Sequence, residues 1–368
     1  MKRSFIREIL DSINAETISF AGGLPDEKLF PVKDIAEAGA KVLTNPSSMQ
    51  YMSSGGLPAL KEKIADRYND QGFPTEPANL LITTGSQQGL YVIAKYFQNR
   101  PIVIEEPSYL GAVNIFAANG LRMTGVPLLH SGVDAEAFAA KYPDAGLTYL
   151  IPDFQNPRGS FYDRETRLAA AETIRRSGGW LIEDAPYSEL YFQERGTSIS
   201  SLIPGMSFHL GSFSKTFAPG MRIGWIRTGK DMIRQLTAIK ETMDLHSCSI
   251  SQHIINEYLQ MFPFEAHLNM LRKAYGEKMR IFADALKSIL PSFSFGEPKG
   301  GMFIYGSLPG TDSFELVHRC MKNNVVYVPG SEFYTDGRKT DEIRFNFTHS
   351  SPEKILKGLE IIRDTAGL

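Results

Sequence analysis

SFHLGSFSKTFAPGMRIGWIRT, residues 207–228, is two short apolar runs bracketing a polar turn that holds glycine and proline. The flanking runs, SFHLGS (207–212) and IGWIRT (223–228), read as strands. Between them Lys215 is set among three hydroxyls, Ser212, Ser214 and Thr216, with Arg222 seven positions on. A lysine becomes a nucleophile only when its amine loses a proton, and burial or a neighbouring cation promotes that loss. The hydroxyls, the turn and Arg222 suit an anion, phosphate above all. Taken alone, the same residues read more readily as a surface lysine and arginine beside a turn, and it is the rest of the chain that overturns that reading.

Moving outward, further strands are expected at 79–84, 102–106, 121–128, 147–152 and 179–184, making seven in all. Helical patterns fit 32–44, 57–71, 86–97, 109–119, 134–141, 163–177 and 230–242. Several strands are near-continuous apolar runs, as in a sheet covered on both faces. The alternation implies an α/β fold built on a mostly parallel seven-stranded sheet. After about residue 250 it gives way to a long helical pattern at 263–290, then GGMFIYGSL (300–308), a helix near 312–323, IRFNFT (343–348) and a closing helix from 351. That reads as a smaller α+β domain of residues 261–368 joined by 1–31, against a large domain of 32–260. A short amphipathic helix is expected over 4–14.

With 368 residues, two domains are the natural division. A net charge of −2 with scattered Lys and Arg argues against a nucleic-acid surface and for small-molecule partners. Cys248 and Cys320 are the only cysteines, which fits a reducing compartment. No run approaches the ~20 apolar residues of a membrane span, and the charged N-terminus lacks the apolar core of a signal peptide. The expected location is the cytoplasm. No GxGxxG, P-loop, HExxH, CxxC or GxSxG motif occurs, and the histidines show no metal-ligand spacing.

Ligands of open α/β sheets bind beyond the carboxyl ends of the strands, and the informative residues fall there. GSQQG (85–89) opens a helix whose first N–H groups, at Ser86 and Gln87, suit an anion; Ser86 as a plain N-cap is the alternative. Tyr109 starts the next helix, Asn156 precedes a proline in PDFQNPRG (152–159), and EDAPY (183–187) supplies Asp184 and Tyr187. A carboxylate ending an apolar strand is costly unless a donor meets it. A phosphate cradle, a lysine, an aspartate, a tyrosine and an asparagine together fit pyridoxal 5′-phosphate.

These stretches resemble the fold-type I pyridoxal-phosphate enzymes of the class I/II aminotransferases. The resemblance is strongest to the branch of 2-aminoadipate and kynurenine aminotransferases and the aminotransferase-like half of MocR regulators. It rests on IREIL, ISFAGGLPDEKLFP, the QY…GGLPALKE run, TTGSQQG, EEPSY, PDFQNPRG, EDAPY, GSFSKTFAPGMRIGW, PKGGMFIY, VPGSEFYTDG and IRFNFT, which span nearly the whole chain. It implies that Lys215 is the Schiff-base lysine, Asp184 the pyridinium partner, Tyr187 and Asn156 the ring-oxygen contacts and Tyr109 the stacking ring. Ser86, Gln87, Ser212, Ser214 and Arg222 would hold the phosphate, joined by Tyr51 from the neighbouring subunit of a homodimer. Arg344 would grip the substrate α-carboxylate, with Gly23 admitting it closely.

Two departures stand out: Arg158 where the resembled N-P-[ST]-G has a small hydroxyl residue, and a short YFQNRPIVIEE connection (96–106). The implied activity is ping-pong amino-group exchange between amino acids and 2-oxo acids. β-Elimination, racemisation or decarboxylation on the same cofactor is the alternative. A regulator's DNA-binding domain is not expected, because the resembling pattern starts within the first ten residues. Arg7, on the first helix, and Arg158 are candidates for reading a second substrate carboxylate. Pairing of Arg7 with Asp11 is the plainer alternative.

Overall fold

The computed structural model describes Asn14, residues 16–142 and residues 146–368. The helix expected over 4–14 therefore lies, apart from Asn14, outside the described residues, and so does Arg7.

The chain enters through β1 (Ile18–Ser19) and then builds its larger sheet. That sheet uses β2 (Leu80–Thr83), β3 (Pro101–Glu106), β4 (Arg122–Leu129) and β5 (Gly132–Val133). It continues with β6 (Leu147–Leu150), β7 (Trp180–Asp184), β8 (Ser207–Ser212) and β9 (Gly224–Arg227). The order is β2-β9-β8-β7-β6-β3-β4-β5. All seven expected strands are present. The eighth, β5, is a two-residue antiparallel edge on β4, too short to carry a pattern of its own. Neighbours from β4 to β8 pair in parallel, while β9 runs antiparallel to both β8 and β2. Every residue of β2, β6 and β8 is buried, which explains their unbroken apolar sequences. The carboxyl ends of β2, β3, β6, β7 and β8 share one edge.

Helices Ser86–Tyr96, Leu110–Ala118, Ala135–Lys141, Arg164–Ser177 and Lys230–Asp244 stand within two residues of their expected limits. Helix Ser249–Met261 was not legible. Its buried positions include Ser249 and Gln252, so hydrophobic periodicity is broken where the helix packs. Gln252 is spent on backbone instead, accepting from Leu57 N at 2.8 Å and donating to Ser247 O at 2.9 Å.

Gly224, at the start of β9 one strand in from the sheet's edge, sets a close approach. It pairs with Ser212 on one side and Thr83 on the other. A Cβ there would fall 2.6 Å from Gly85 C and Ser86 N. With no side chain at 224, the start of helix Ser86–Tyr96 is pressed against the turn that carries Lys215.

A second, antiparallel sheet follows, with β10 (Ser294–Phe295), β11 (Phe303–Ser307), β13 (Val328–Pro329) and β14 (Glu342–Asn346) in the order β10-β11-β14-β13. Beside it β12 (Val325–Val326) pairs in parallel with β1. Phe20 is stitched in on both sides: its N–H donates to Val326 O and its carbonyl accepts from Asn346 N, each at 2.8 Å. Its ring meets Phe282 and Phe345 edge-on at 5.2 and 5.9 Å. Helices Phe264–Ile289 and Pro352–Ala366 pack on each other beside this core. The N-terminal segment is thereby drawn to the second sheet, leaving Ala21 to Gly23 beside the edge of the first.

The loop between β6 and helix Arg164–Ser177 is held by a buried ion pair. Arg167 donates to Asp153 Oδ1 at 2.7 Å and to the carbonyls of Tyr162, Thr197 and Pro152 at 2.8, 3.0 and 3.1 Å. Removing one partner strands the other charge, which costs about 3–5 kcal/mol in buried pairs. Arg167→Met should lower unfolding stability by that order in a denaturant titration, and an unchanged midpoint would show that the pair is dispensable.

Candidate active site

Helix Ser86–Tyr96 begins without a side-chain cap, so its first N–H groups are offered outward from the sheet edge. Its N-cap, Gly85, has φ 73°, and a Cβ there would lie 2.6 Å from Arg222 Nη2. Glycine is needed for the backbone angle, while the guanidinium end beside it could shift. Arg222 is itself left-handed at φ 53°, ending the 3-10 turn Pro219–Met221. Its guanidinium makes only long contacts, 3.2 Å to Pro219 O, 3.4 Å to Thr84 O and 3.5 Å to Ser214 Oγ. Ser212 Oγ donates to Ser214 Oγ at 2.9 Å and accepts from Ser214 N at 3.1 Å. Hydroxyls, helix N–H groups and a loosely held arginine form a concave anion cradle.

Asp184 ends β7 and is buried. Tyr149 donates to its Oδ2 at 2.9 Å, whereas Oδ1 is buried with no hydrogen-bond partner among the described residues. Burial raises its pKa to about 7, opposed by the Tyr149 hydrogen bond. Such an orphaned oxygen calls for an N–H donor that the protein does not itself supply. Tyr187, also buried, accepts weakly from Asn156 Nδ2 at 3.4 Å. Asn156 Oδ1 accepts from Arg344 Nη1 at 2.8 Å.

Arg344 stands on β14 and crosses to the large sheet's edge through Asn156, while its Nη2 donates to Ala21 O. Its guanidinium lies 4.4 Å from the centre of the Phe303 ring and 5.2 Å from that of Phe333. Burial lowers its pKa to about 10, which leaves it charged at neutral pH. Among the described residues no carboxylate pairs with it and Nε is unpartnered. A buried, unpaired cation of this geometry suits a bound carboxylate.

Lys215 donates to Gly23 O at 2.7 Å. Burial, then the charges of Arg344 and Arg222, lower its amine from the ordinary 10.5 to about 8. Twelve of the expected residues line one cavity of about 280 Å³: Gly23, Ser86, Gln87, Tyr109, Asn156, Asp184, Tyr187, Ser212, Ser214, Lys215, Arg222 and Arg344. Tyr51 is not brought there. Tyr51 is 79% exposed, with its ring edge-on to His246 at 5.8 Å. Arg7 lies outside the described residues. Arg158, the second candidate cation, is not part of the lining either. Its N–H donates to Gln155 Oε1 at 2.7 Å in the turn.

Two buried groups under the cavity escaped the sequence reading. Glu105 accepts from Tyr162 Oη, Gln155 Nε2 and Ile151 N at 2.5, 2.8 and 3.2 Å, and burial raises its pKa to about 8. It tethers the loop that carries Asn156. Tyr149 is the other. The signal for both was a polar group inside an apolar strand, which must find a partner.

The fold and cavity define a pyridoxal 5′-phosphate enzyme of the α/β type, and comparison with known proteins supplies the family. The description Aminotransferase class I and II matches residues 17–362, so this chain belongs to the class I/II aminotransferases. It is 34% identical to the 2-aminoadipate transaminase of Thermus thermophilus, over 98% of this chain and 92% of that protein. It superposes on LysN, the alpha-aminoadipate aminotransferase of Thermus thermophilus complexed with N-(5′-phosphopyridoxyl)-L-leucine. The TM-score is 0.93 at 32% identity, over 100% of this chain and 95% of that one. The kynurenine aminotransferase of Pyrococcus horikoshii gives 0.94 at 30% identity with the same coverage. The protein is therefore a pyridoxal-phosphate-dependent aminotransferase of fold type I.

A lysine protonated below its pKa is inert, so reactivity of Lys215 should appear as pH rises through about 8 rather than 10.5. Trinitrobenzenesulfonate labelling of the cofactor-free protein, followed at the Lys215 peptide, measures it. Arg344→Gln should move the midpoint upward, and a midpoint near 10.5 before any mutation would contradict the electrostatics described.

Proposed function

We propose that Lys215 bonds the cofactor's aldehyde and that the enzyme exchanges amino groups in two half-reactions, the amino donor's product leaving before the acceptor binds. The observation that carries this reading is the buried, unpartnered Asp184 Oδ1 on the same cavity as a lysine of lowered pKa. Bound pyridoxal 5′-phosphate supplies an aldehyde for amine exchange and a ring that accepts electrons.

The protein's groups divide the remaining work. Ser86, Gln87, Ser212, Ser214 and Arg222 hold the phosphate. Asp184 Oδ1 would meet the ring nitrogen, Tyr187 and Asn156 the ring oxygen, and Tyr109 would lie against the ring. Arg344 takes the α-carboxylate in a fork, with Gly23 leaving room. Lys215, which would hold the cofactor in the resting enzyme, would also be placed to take the substrate's Cα proton and give it back, as base and acid. The two named relatives with aminoadipate and kynurenine activity favour this over elimination, racemisation or decarboxylation.

The substrates are amino acids and 2-oxo acids. Arg7 is the proposed reader of a second carboxylate, Arg158 being off the cavity. Exposed Tyr51 suits a residue that completes the phosphate site of a second subunit in a homodimer. The chain divides on this reading into residues 32–260 and 1–31 with 261–368, and the pairing of β1 with β12 supports grouping its segment with the later residues. Two free thiols, Cys248 and Cys320, support a reducing compartment such as the cytoplasm. Among the described residues, no helix is long and apolar enough to cross a membrane.

Borohydride reduction of the loaded enzyme should fix the cofactor to the peptide containing Lys215. Lys215→Ala should still bind cofactor through the phosphate cradle and Asp184, with negligible turnover. Label on another lysine would remove the basis of the assignment.

A further inference from the structure

Tyr149 sits in the middle of the sheet, on β6, with no exposed surface. Its backbone is pinned between Ile104 of β3 and Ile182 of β7, and its ring meets Phe116 edge-on at 5.3 Å. Because both strands and the ring are fixed, its hydroxyl can point to one place. It donates to Asp184 Oδ2 at 2.9 Å, and no other side chain donates to that carboxylate among the described residues. An ionised carboxylate has about four acceptor sites on two oxygens, yet here one oxygen is satisfied and the other is empty. Glu105 and Tyr109 lie near the Tyr149 hydroxyl and Tyr187 near Asp184, while Lys215 and Arg344 line the same cavity as Asp184.

We infer that Tyr149 is a positioning residue: its hydroxyl holds Asp184 Oδ2 so that Oδ1 alone is left to face the cofactor's ring nitrogen. This rests on the reading of Asp184 as the nitrogen's partner. A merely structural tyrosine would support the fold and both faces of the cavity alike, whereas a positioning one acts only on a ligand that has the nitrogen.

The test titrates cofactor-free protein with pyridoxal 5′-phosphate and with its 1-deaza analogue, in which carbon replaces the ring nitrogen. Wild type should prefer the natural ring. Tyr149→Phe should weaken pyridoxal phosphate roughly tenfold or more, the worth of a hydrogen bond to a charged group, and leave the analogue unchanged. On an Asp184→Asn background the same substitution should add nothing. Equal losses for both ligands, no loss, or an undiminished loss beside Asp184→Asn would each overturn the inference. If wild type binds the two ligands equally, Asp184 does not meet the nitrogen, and the assignments of Asp184 and Tyr149 both fall. Should Tyr149→Phe lose the fold, 3-fluorotyrosine at 149 keeps the shape and strengthens the donor. It should tighten pyridoxal phosphate selectively, and a shift common to both ligands would overturn the inference.

Discussion

A buried carboxylate and a buried guanidinium, Asp184 and Arg344, line one cavity without pairing with each other. Each was removed from water at a cost of several kcal/mol that ordinary ion pairing would offset. The molecule keeps them apart by mounting them on different sheets, Asp184 at the end of β7 and Arg344 on β14. Among the described residues, one carboxylate oxygen without a donor and one guanidinium without a carboxylate thereby share a cavity. Groups left in this state cluster where ligands bind.

The same separation explains the architecture around them. Arg344 reaches across through Asn156 and Ala21, so the second sheet, the N-terminal segment and the β6 loop meet at one residue. Phe20 fixes that segment to β12 and β14, which places Gly23 O where it accepts from Lys215. Beneath, Glu105 and the Arg167–Asp153 pair hold the loop bearing Asn156 from two sides. Burial first, then positive charge from Arg344 and Arg222, lowers the lysine's pKa, so the groups suited to binding anions add to what burial does.

Most of this was legible because strand ends carry chemistry in α/β sheets. Several of the seven main strands were near-continuous apolar runs, and Lys215, Asp184, Asn156 and Ser86 each fell at or shortly after a strand's end. The roles assigned to Tyr51, Arg7 and Arg344 came from family resemblance, since nothing local in their stretches distinguishes them from surface or strand residues. Helix Ser249–Met261 was missed because Ser249 and Gln252 occupy its packed face. Tyr149 and Glu105 were missed because hydropathy counts a strand residue as core without asking where its polar atom goes.

Single-turnover spectroscopy tests the central claim most directly. The loaded enzyme is mixed with the fastest of a panel of L-amino acids, with no 2-oxo acid present. One equivalent of 2-oxo acid per subunit should be released as the cofactor absorbance shifts to its aminated form, and adding a 2-oxo acid should restore the original spectrum. Release of ammonia or carbon dioxide over many turnovers, with the cofactor spectrum returning unaided, would contradict it.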